Sequence, residues 1–322
     1  MKCIQVREIN DFIITEAPLS NPMVDEVTIK VLVTGLCRTD LKLIRDGHRD
    51  LILPRIPGEE VVGVIYAKGA DVTEFNEGDF VYVYPGIWCG HCPACKNNAE
   101  NLCREMKIMG FHRDGGFAEY VNVPAKSVIR LPQELEPELA VFAEPLSCCL
   151  NALEIGNVRA GQSVGIWGAG PAGILLYRAA RAMGAESFSI EPDERRRILI
   201  GGYETCPDRT FDVCVVAVGS KHAYEEAIQK LAPLGRLIVF SGLSFSDDRQ
   251  MTVSFNQLHY LEQTVVGAYG CCFRHGKQAL THIADGTVPV RDMISHRMSL
   301  YDLETALKYV EQRAGMKILL YP

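Results

Sequence analysis

The sequence lacks any run of about 18 apolar residues, so it contains no helix of the kind that crosses a membrane. With 48% apolar and 23% charged residues it also lacks the composition of a disordered chain. Basic clusters are few. The main one, Arg195 to Arg197, is too short to follow a phosphate backbone, and the formal charge of -7 is modest and dispersed, which argues against nucleic acid as a partner. No internal repeat or low-complexity linker is present, and the opening MKCIQVREINDF has no apolar core of a secretory leader. Histidine is sparse, eight in 322 residues. These absences leave a globular protein of the cytoplasm, long enough for two domains.

Cysteine, by contrast, is concentrated. Cys89, Cys92, Cys95 and Cys103 follow the spacing Cys-x2-Cys-x2-Cys-x7-Cys inside GIWCGHCPACKNNAENLC, which lets four thiolates converge on one tetrahedral ion. A structural zinc would hold together a lobe, about residues 86 to 106, too polar to form its own core. The alternative, two disulfides, requires an oxidising compartment. It is also at odds with Cys3, Cys148, Cys149, Cys206, Cys214, Cys271 and Cys272, which are scattered at no framework spacing.

Along the first 130 residues, short β-branched runs such as DEVTIKVLVTG and EVVGVIYAKG alternate with turn signals, indicating an antiparallel barrel or sandwich. Two helices are expected within it. One covers TDLKLIRDG, capped by Thr39 or Asp40, and the other runs from about Pro137 through AEPLSCCLNALEIG. After Gly161 the texture becomes a buried strand, a glycine turn, an amphipathic helix and a second strand, and further βα signals follow. The expected fold class is therefore α/β: a β-barrel domain over 1–150 and 286–322, and a doubly wound parallel sheet over 151–285.

Gly168, Gly170 and Gly173 spell Gly-x-Gly-x-x-Gly between the strand ending at Trp167 and the helix that begins with Pro171 and Ala172. There the backbone can approach a pyrophosphate at the positive helix terminus. Glu191, at the end of the next strand, is placed to accept hydrogen bonds from both ribose hydroxyls and to repel a 2′-phosphate, favouring NAD over NADP. Arg195 and Arg196 are the guanidiniums that could instead hold that phosphate.

Together with GLCRTDL, PRIPGEEVVGVI, GFHRDGGFAEYVNVP, AEPLSCCLNAL and VVGAYG, these motifs make nearly the whole chain resemble the zinc-dependent medium-chain dehydrogenases/reductases, the alcohol, polyol and threonine dehydrogenase group. The resemblance implies a GroES-like catalytic domain split around a Rossmann domain, hydride transfer between a hydroxyl carbon and nicotinamide, and a catalytic zinc. By motif, Cys37 matches the thiolate ligand of that metal, Glu144 the glutamate near it, Thr39 the hydroxyl that relays the substrate proton, and Arg38 a contact of the coenzyme pyrophosphate.

One departure stands out: the family's Gly-His-Glu is here Gly58-Glu59-Glu60. A site of Cys37, Glu59, Glu60 and Glu144 sets more negative charge against a divalent cation than a histidine site does, making a weaker Lewis acid. Three outcomes are open. Zinc still binds, in an anionic pocket that prefers a cationic amino alcohol or aminocyclitol; His48 replaces the missing imidazole; or the catalytic metal is absent while the structural zinc stays. The alternative to an enzyme is an NAD-binding scaffold or sensor that has lost the catalytic metal. An NADPH-dependent enone reductase conflicts with the cysteine lobe and with Glu191. Lys42, His259 and His296 carry no compelling role. The stretch from Arg197 to Phe211 is short for a Rossmann crossover, and VPVRDMISHRM or GRLIVFSG is expected to supply the edge strand of a homodimer or homotetramer.

Overall fold

The computed structural model describes residues 1–243 and 250–322, which form two compact units: residues 1–144 with 272–322, and residues 145–271. In chain order, the first unit opens with a hairpin of β1 (Lys2–Glu8) and β2 (Asp11–Glu16). It continues through β3 (Glu26–Leu36), α1 (Arg38–Arg45), β4 (Glu60–Lys68), β5 (Phe80–Val83), β6 (Gly86–Ile87), α2 (Pro93–Lys96) and β7 (Lys107–Ile108). Next come β8 (Tyr120–Pro124), β9 (Val128–Arg130) and α3 (Pro137–Ala140), and α4 (Ala143–Ile155) then begins at the boundary and runs into the second unit. The second unit holds β10 (Ser163–Trp167), α5 (Pro171–Ala182), β11 (Glu186–Ile190), α6 (Glu194–Arg197), β12 (Phe211–Val216), α7 (Lys221–Gln229), β13 (Leu231–Val239), α8 (Phe255–Tyr260) and β14 (Thr264–Gly267). The chain then returns through α9 (Phe273–Ala284), β15 (Ile294–Ser299), α10 (Leu303–Glu311) and β16 (Lys317–Tyr321).

In the first unit the sheet order is β15-β16-β3-β4-β5-β9, with β8 also paired to β3. Every pair is antiparallel except β15 with β16. The period-two runs explain the packing, since Val27, Ile29 and Val31 of β3 meet Val61 and Ile65 of β4 in one buried cluster. The closing strand extends the same sheet, pairing Leu319 with Gly35 and Ile318 with Leu36.

The second unit is a parallel sheet in the order β11-β10-β12-β13-β14. This is the doubly wound order with its third strand nearly gone. What remains is a bridge at Tyr203, whose N–H donates to Ser189 O and whose carbonyl accepts from Glu191 N–H, both at 2.8 Å. The shortness of the segment after Arg197 has this consequence.

Four sequence expectations need correction. Cys37 is the N-cap of α1, so Thr39 and Asp40 lie within the first turn. The helix expected from Pro137 is two helices, because Pro145 has no N–H to bond back to Val141 in a continuous one. The second domain ends at Cys271, and α9 belongs to the first unit. GRLIVFSG forms β13, flanked on both sides, while VPVRDMISHRM supplies β15 of the first unit; the ends of the parallel sheet are β14 and β11, the latter beside the Tyr203 bridge. Among the described residues no helix is long and apolar enough to cross a membrane.

Candidate functional site

The cysteine lobe lies between β6 and β7, which pair antiparallel and close its base. The sulfurs of Cys89, Cys92, Cys95 and Cys103 all fall within 4.8 Å of one another, and all four cysteines are free. The Cys89–Cys95 and Cys92–Cys95 sulfur separations, 3.9 and 3.5 Å, bracket the edge of about 3.8 Å that a tetrahedron with 2.3 Å zinc–sulfur bonds requires. Backbone N–H groups already point at the sulfurs: Cys92 N–H donates to Cys89 Sγ at 3.3 Å, and Cys89 and Glu105 N–H to Cys103 Sγ at 3.4 Å. The Cys92 thiol is drawn down to about 6, first by the Cys95 backbone, while burial pushes its neighbour Cys95 up to about 12. The donor set fits zinc.

A second constellation surrounds the junction of β3 and α1. Cys37 N–H donates to Asp40 Oδ2 at 3.0 Å, closing the first turn over a carboxylate only 1% exposed. Burial raises Asp40 to about 6 against the lowering effect of its bonds to Cys37. Glu60, at the start of β4, is equally buried, and both its oxygens accept from the Lys317 ammonium at 2.6 Å. Register places Gly35 directly opposite Glu60, and a Cβ on Gly35 would fall 1.8 Å from Glu60 Oε2, so only glycine leaves room for the pair. Burial by itself would lower the Lys317 pKa, but the charges of Glu60 and Cys37 raise it, and the side chain stays an ammonium. The Cys37 thiol is pushed well up by burial, with Asp40, Glu60 and Glu59 adding to the shift and Lys317 opposing it.

Lys317 was missed in the sequence. Its only signal there is a lysine set among apolar residues in MKILLYP. Its presence changes the standing of Glu60, expected as a ligand of the catalytic metal and found as half of a buried ion pair. Among the described residues, side chains that could hold a metal do gather elsewhere, but no such group contains Cys37, Glu59 or Glu60. As placed, the expected set does not fit a metal ion. His48 does not fill the gap either: its ring lies 5.0 Å from that of Phe111, and its Nδ1 accepts from Asp50 N–H at 3.2 Å. Thr39 and Arg38 are exposed on the first turn of α1, Lys42 is exposed one turn on, and Glu144 is half-buried at the start of α4.

In the second unit β10 ends at Trp167 and the chain turns through Gly168 at φ +102° into α5, with Gly170 as N-cap and Pro171 and Ala172 opening the helix. A Cβ on Gly173 would stand 1.8 Å from Gly168 O, so its glycine lets the helix rest against the strand end. Glu191 is 9% exposed; its Oε2 accepts from Ala169 N–H at 2.7 Å and its Oε1 from Asp193 N–H at 3.0 Å. Each oxygen retains a further acceptor position. Arg196 Nη1 lies 3.5 Å from where a Gly170 Cβ would be, bringing a guanidinium to the same turn. His259 packs on Tyr260, and His296 stacks on Tyr309 at 4.4 Å.

Residues 24–133 match the family model described as the alcohol dehydrogenase GroES-like domain. The chain is 30% identical to the L-threonine 3-dehydrogenase of Thermococcus kodakarensis over 336 residues, covering 96% of this chain and 94% of that protein. It is 27% identical to the sorbitol dehydrogenase of Bacillus subtilis, covering 100% and 97%. Among solved structures, a zinc-binding dehydrogenase of Sinorhizobium meliloti bound to NADP superposes with a TM-score of 0.93 at 26% identity, covering 100% and 99%. Galactitol-1-phosphate dehydrogenase of Escherichia coli gives 0.91 at 26% identity over the whole of both chains.

Proposed function

Because the chain belongs to the zinc-dependent medium-chain dehydrogenase/reductase family, we propose that it oxidises a secondary alcohol of polyol, amino alcohol or cyclitol type with NAD. The observation that carries the reading is the glycine turn, with Glu191 fixed by two backbone N–H groups beside it. The first turn of α5 offers its N–H groups and the positive end of the helix dipole to a pyrophosphate, with Arg196 at hand. The free acceptor positions of Glu191 suit the two ribose hydroxyls, which supports NAD over NADP. When bound, the coenzyme would supply the hydride acceptor for the hydroxyl-bearing carbon, and Thr39 would pass the hydroxyl proton toward solvent, so that alcohol and NAD would give ketone, NADH and a proton.

Zinc belongs in the lobe, where Cys89, Cys92, Cys95 and Cys103 would hold it as a crosslink without a part in hydride transfer. Near Cys37 the ion pair with Lys317 removes Glu60 from the donor set, and Cys37, Glu59 and Glu144 are the ligands that would have to gather around a second ion. Glu59 and Glu144 still favour a cationic substrate. Matched amino alcohols and neutral polyols, assayed by NADH formation, test this: the amino alcohol should lead by at least about tenfold in kcat/KM, a factor of about 1.4 kcal/mol. Equal efficiencies would sink the charge argument.

The Glu60–Lys317 pair also supports a second reading, a coenzyme-binding scaffold or sensor without turnover. It is distinguished by NADH binding in the absence of activity on any alcohol. For self-association, β14 is the edge available to a second copy, with Val265 41% exposed on it. A homodimer or homotetramer follows from pairing there.

A further inference from the structure

The cysteine lobe does more than hold itself together. Its loop between the third and fourth ligands, residues 96–102, docks onto the first turn of α9. Cys272, the N-cap of that helix, directs its Sγ to Asn101 Oδ1 at 3.1 Å and to Asn98 O at 3.4 Å. Phe273 N–H donates to Glu100 Oε1 at 2.8 Å, and the Arg274 guanidinium donates to Asn98 O at 2.9 Å. The Phe273 ring packs on Trp88 and Tyr84, with centroids 5.6 and 5.8 Å away.

Each polar partner of α9 in this contact, Asn98, Glu100 and Asn101, lies between Cys95 and Cys103, within the loop that the fourth ligand closes. Apart from local backbone hydrogen bonds, such as Asn98 N–H to Cys95 O at 3.1 Å and Ala99 N–H to Ala94 O at 3.0 Å, that loop has no buried side chains of its own to order it. The helix α2 and the short turn Glu100–Leu102 bury no residue, and Asn98 sits at φ +56°. The position capped is also a special one, because Cys272 is the first residue after the chain leaves the dinucleotide-binding unit. On the other side of the junction, buried Asn151 of α4 donates to Gly270 O at 2.9 Å. Gly270 itself has φ +57° and nothing near its Cβ position.

We propose that the lobe is a metal-dependent latch on this second crossover. Ion binding by the four cysteines orders residues 98–101; these cap α9, and the capped helix fixes the segment by which the dinucleotide-binding unit rejoins the catalytic domain. Without the ion the segment loses the acceptors that Asn98, Glu100 and Asn101 supply, while its bond to Asn151, its Cys272–His275 capping bond and the ring contacts of Phe273 remain. The coupling is local and works through hydrogen bonds and a helix end, where orphan N–H groups need acceptors and a carboxylate at the first turn is favourable.

The test is hydrogen exchange, read by mass spectrometry on the full-length protein, over peptides covering 87–106 and 271–277, with β4 as an internal control. Chelation should speed exchange in both lobe and 271–277 while β4 stays protected. The paired substitutions Glu100→Gln and Asn101→Ala, which touch no cysteine, should speed exchange at 271–277 about tenfold with zinc content unchanged and the lobe peptide still protected. Fast exchange in the lobe with 271–277 unmoved after chelation overturns the proposal, as does an unmoved 271–277 in the double variant. If chelation unfolds the whole protein and β4 exchanges too, the double variant alone decides.

Discussion

Lys317 and Glu60 lie 257 positions apart, and their pairing ties up the glutamate that the family motif shares; Glu59, which stands where the family has its imidazole, is outside the pair. A buried ion pair adds little net stability, but breaking one leaves an unpaired buried charge. Lys317→Met should therefore cost about 3–5 kcal/mol in denaturant unfolding, and Lys317→Met with Glu60→Leu should recover most of it. A single-variant loss under about 1 kcal/mol would mean the pair is solvated and carries no such weight. The four lobe cysteines were legible because their pattern is local, whereas this pair was not: a lone lysine in an apolar strand gives no hint of which carboxylate the sheet register will bring to it. The glycine at position 35 was equally silent, since its necessity appears only once β3 and β4 are in register.

At the level of elements, the glycine turn was readable because strand, turn and helix follow one another, and the hydrogen bonds of Glu191 add what the sequence could not supply. Glu191→Ala removes the acceptor of Ala169 N–H and the carboxylate facing a 2′-phosphate, so the preference for NAD over NADP should fall at least about tenfold by titration of both coenzymes. An unchanged ratio would place the ribose elsewhere. The break between α3 and α4 escaped the pattern because apolar residues continue through Val141 and Phe142 across it. The short α3 is held instead by charge: Arg297 of β15 grips Glu138 with both ends of its guanidinium, at 3.0 and 2.6 Å, and Tyr321 donates to the same carboxylate. The Arg297 bonds hold the Glu138 pKa below the ordinary value of 4.5. Its stabilisation is thus present above pH 4.5 and lost as pH falls through the lower folded-state value. With Arg297 half exposed, Glu138→Gln should cost about 1 kcal/mol or less at pH 7, and the cost should shrink as the pH is lowered stepwise below 4.5, measured by urea unfolding across that range. A penalty that persists at low pH would assign Glu138 a packing role.

For the molecule as a whole, the two-part organisation was legible from the change of texture after Gly161, but the return point was not. Residues 272–285 form an ordinary amphipathic helix that either unit could have taken, and the lobe contacts that place it in the catalytic domain are long-range. The donor geometry predicts a metal content of one zinc per chain, lost on substituting Cys92 by Ser. Two ions per chain, with the second removed by Cys37→Ser, would show that Cys37, Glu59 and Glu144 gather around an ion after all. The account stands most directly on hydride transfer itself. An alcohol from the polyol and amino alcohol panel, carrying deuterium on its carbinol carbon, should deliver that deuterium to NAD, detected as NADH one mass unit heavier. Bound coenzyme with no label transferred from any member of the panel would contradict it.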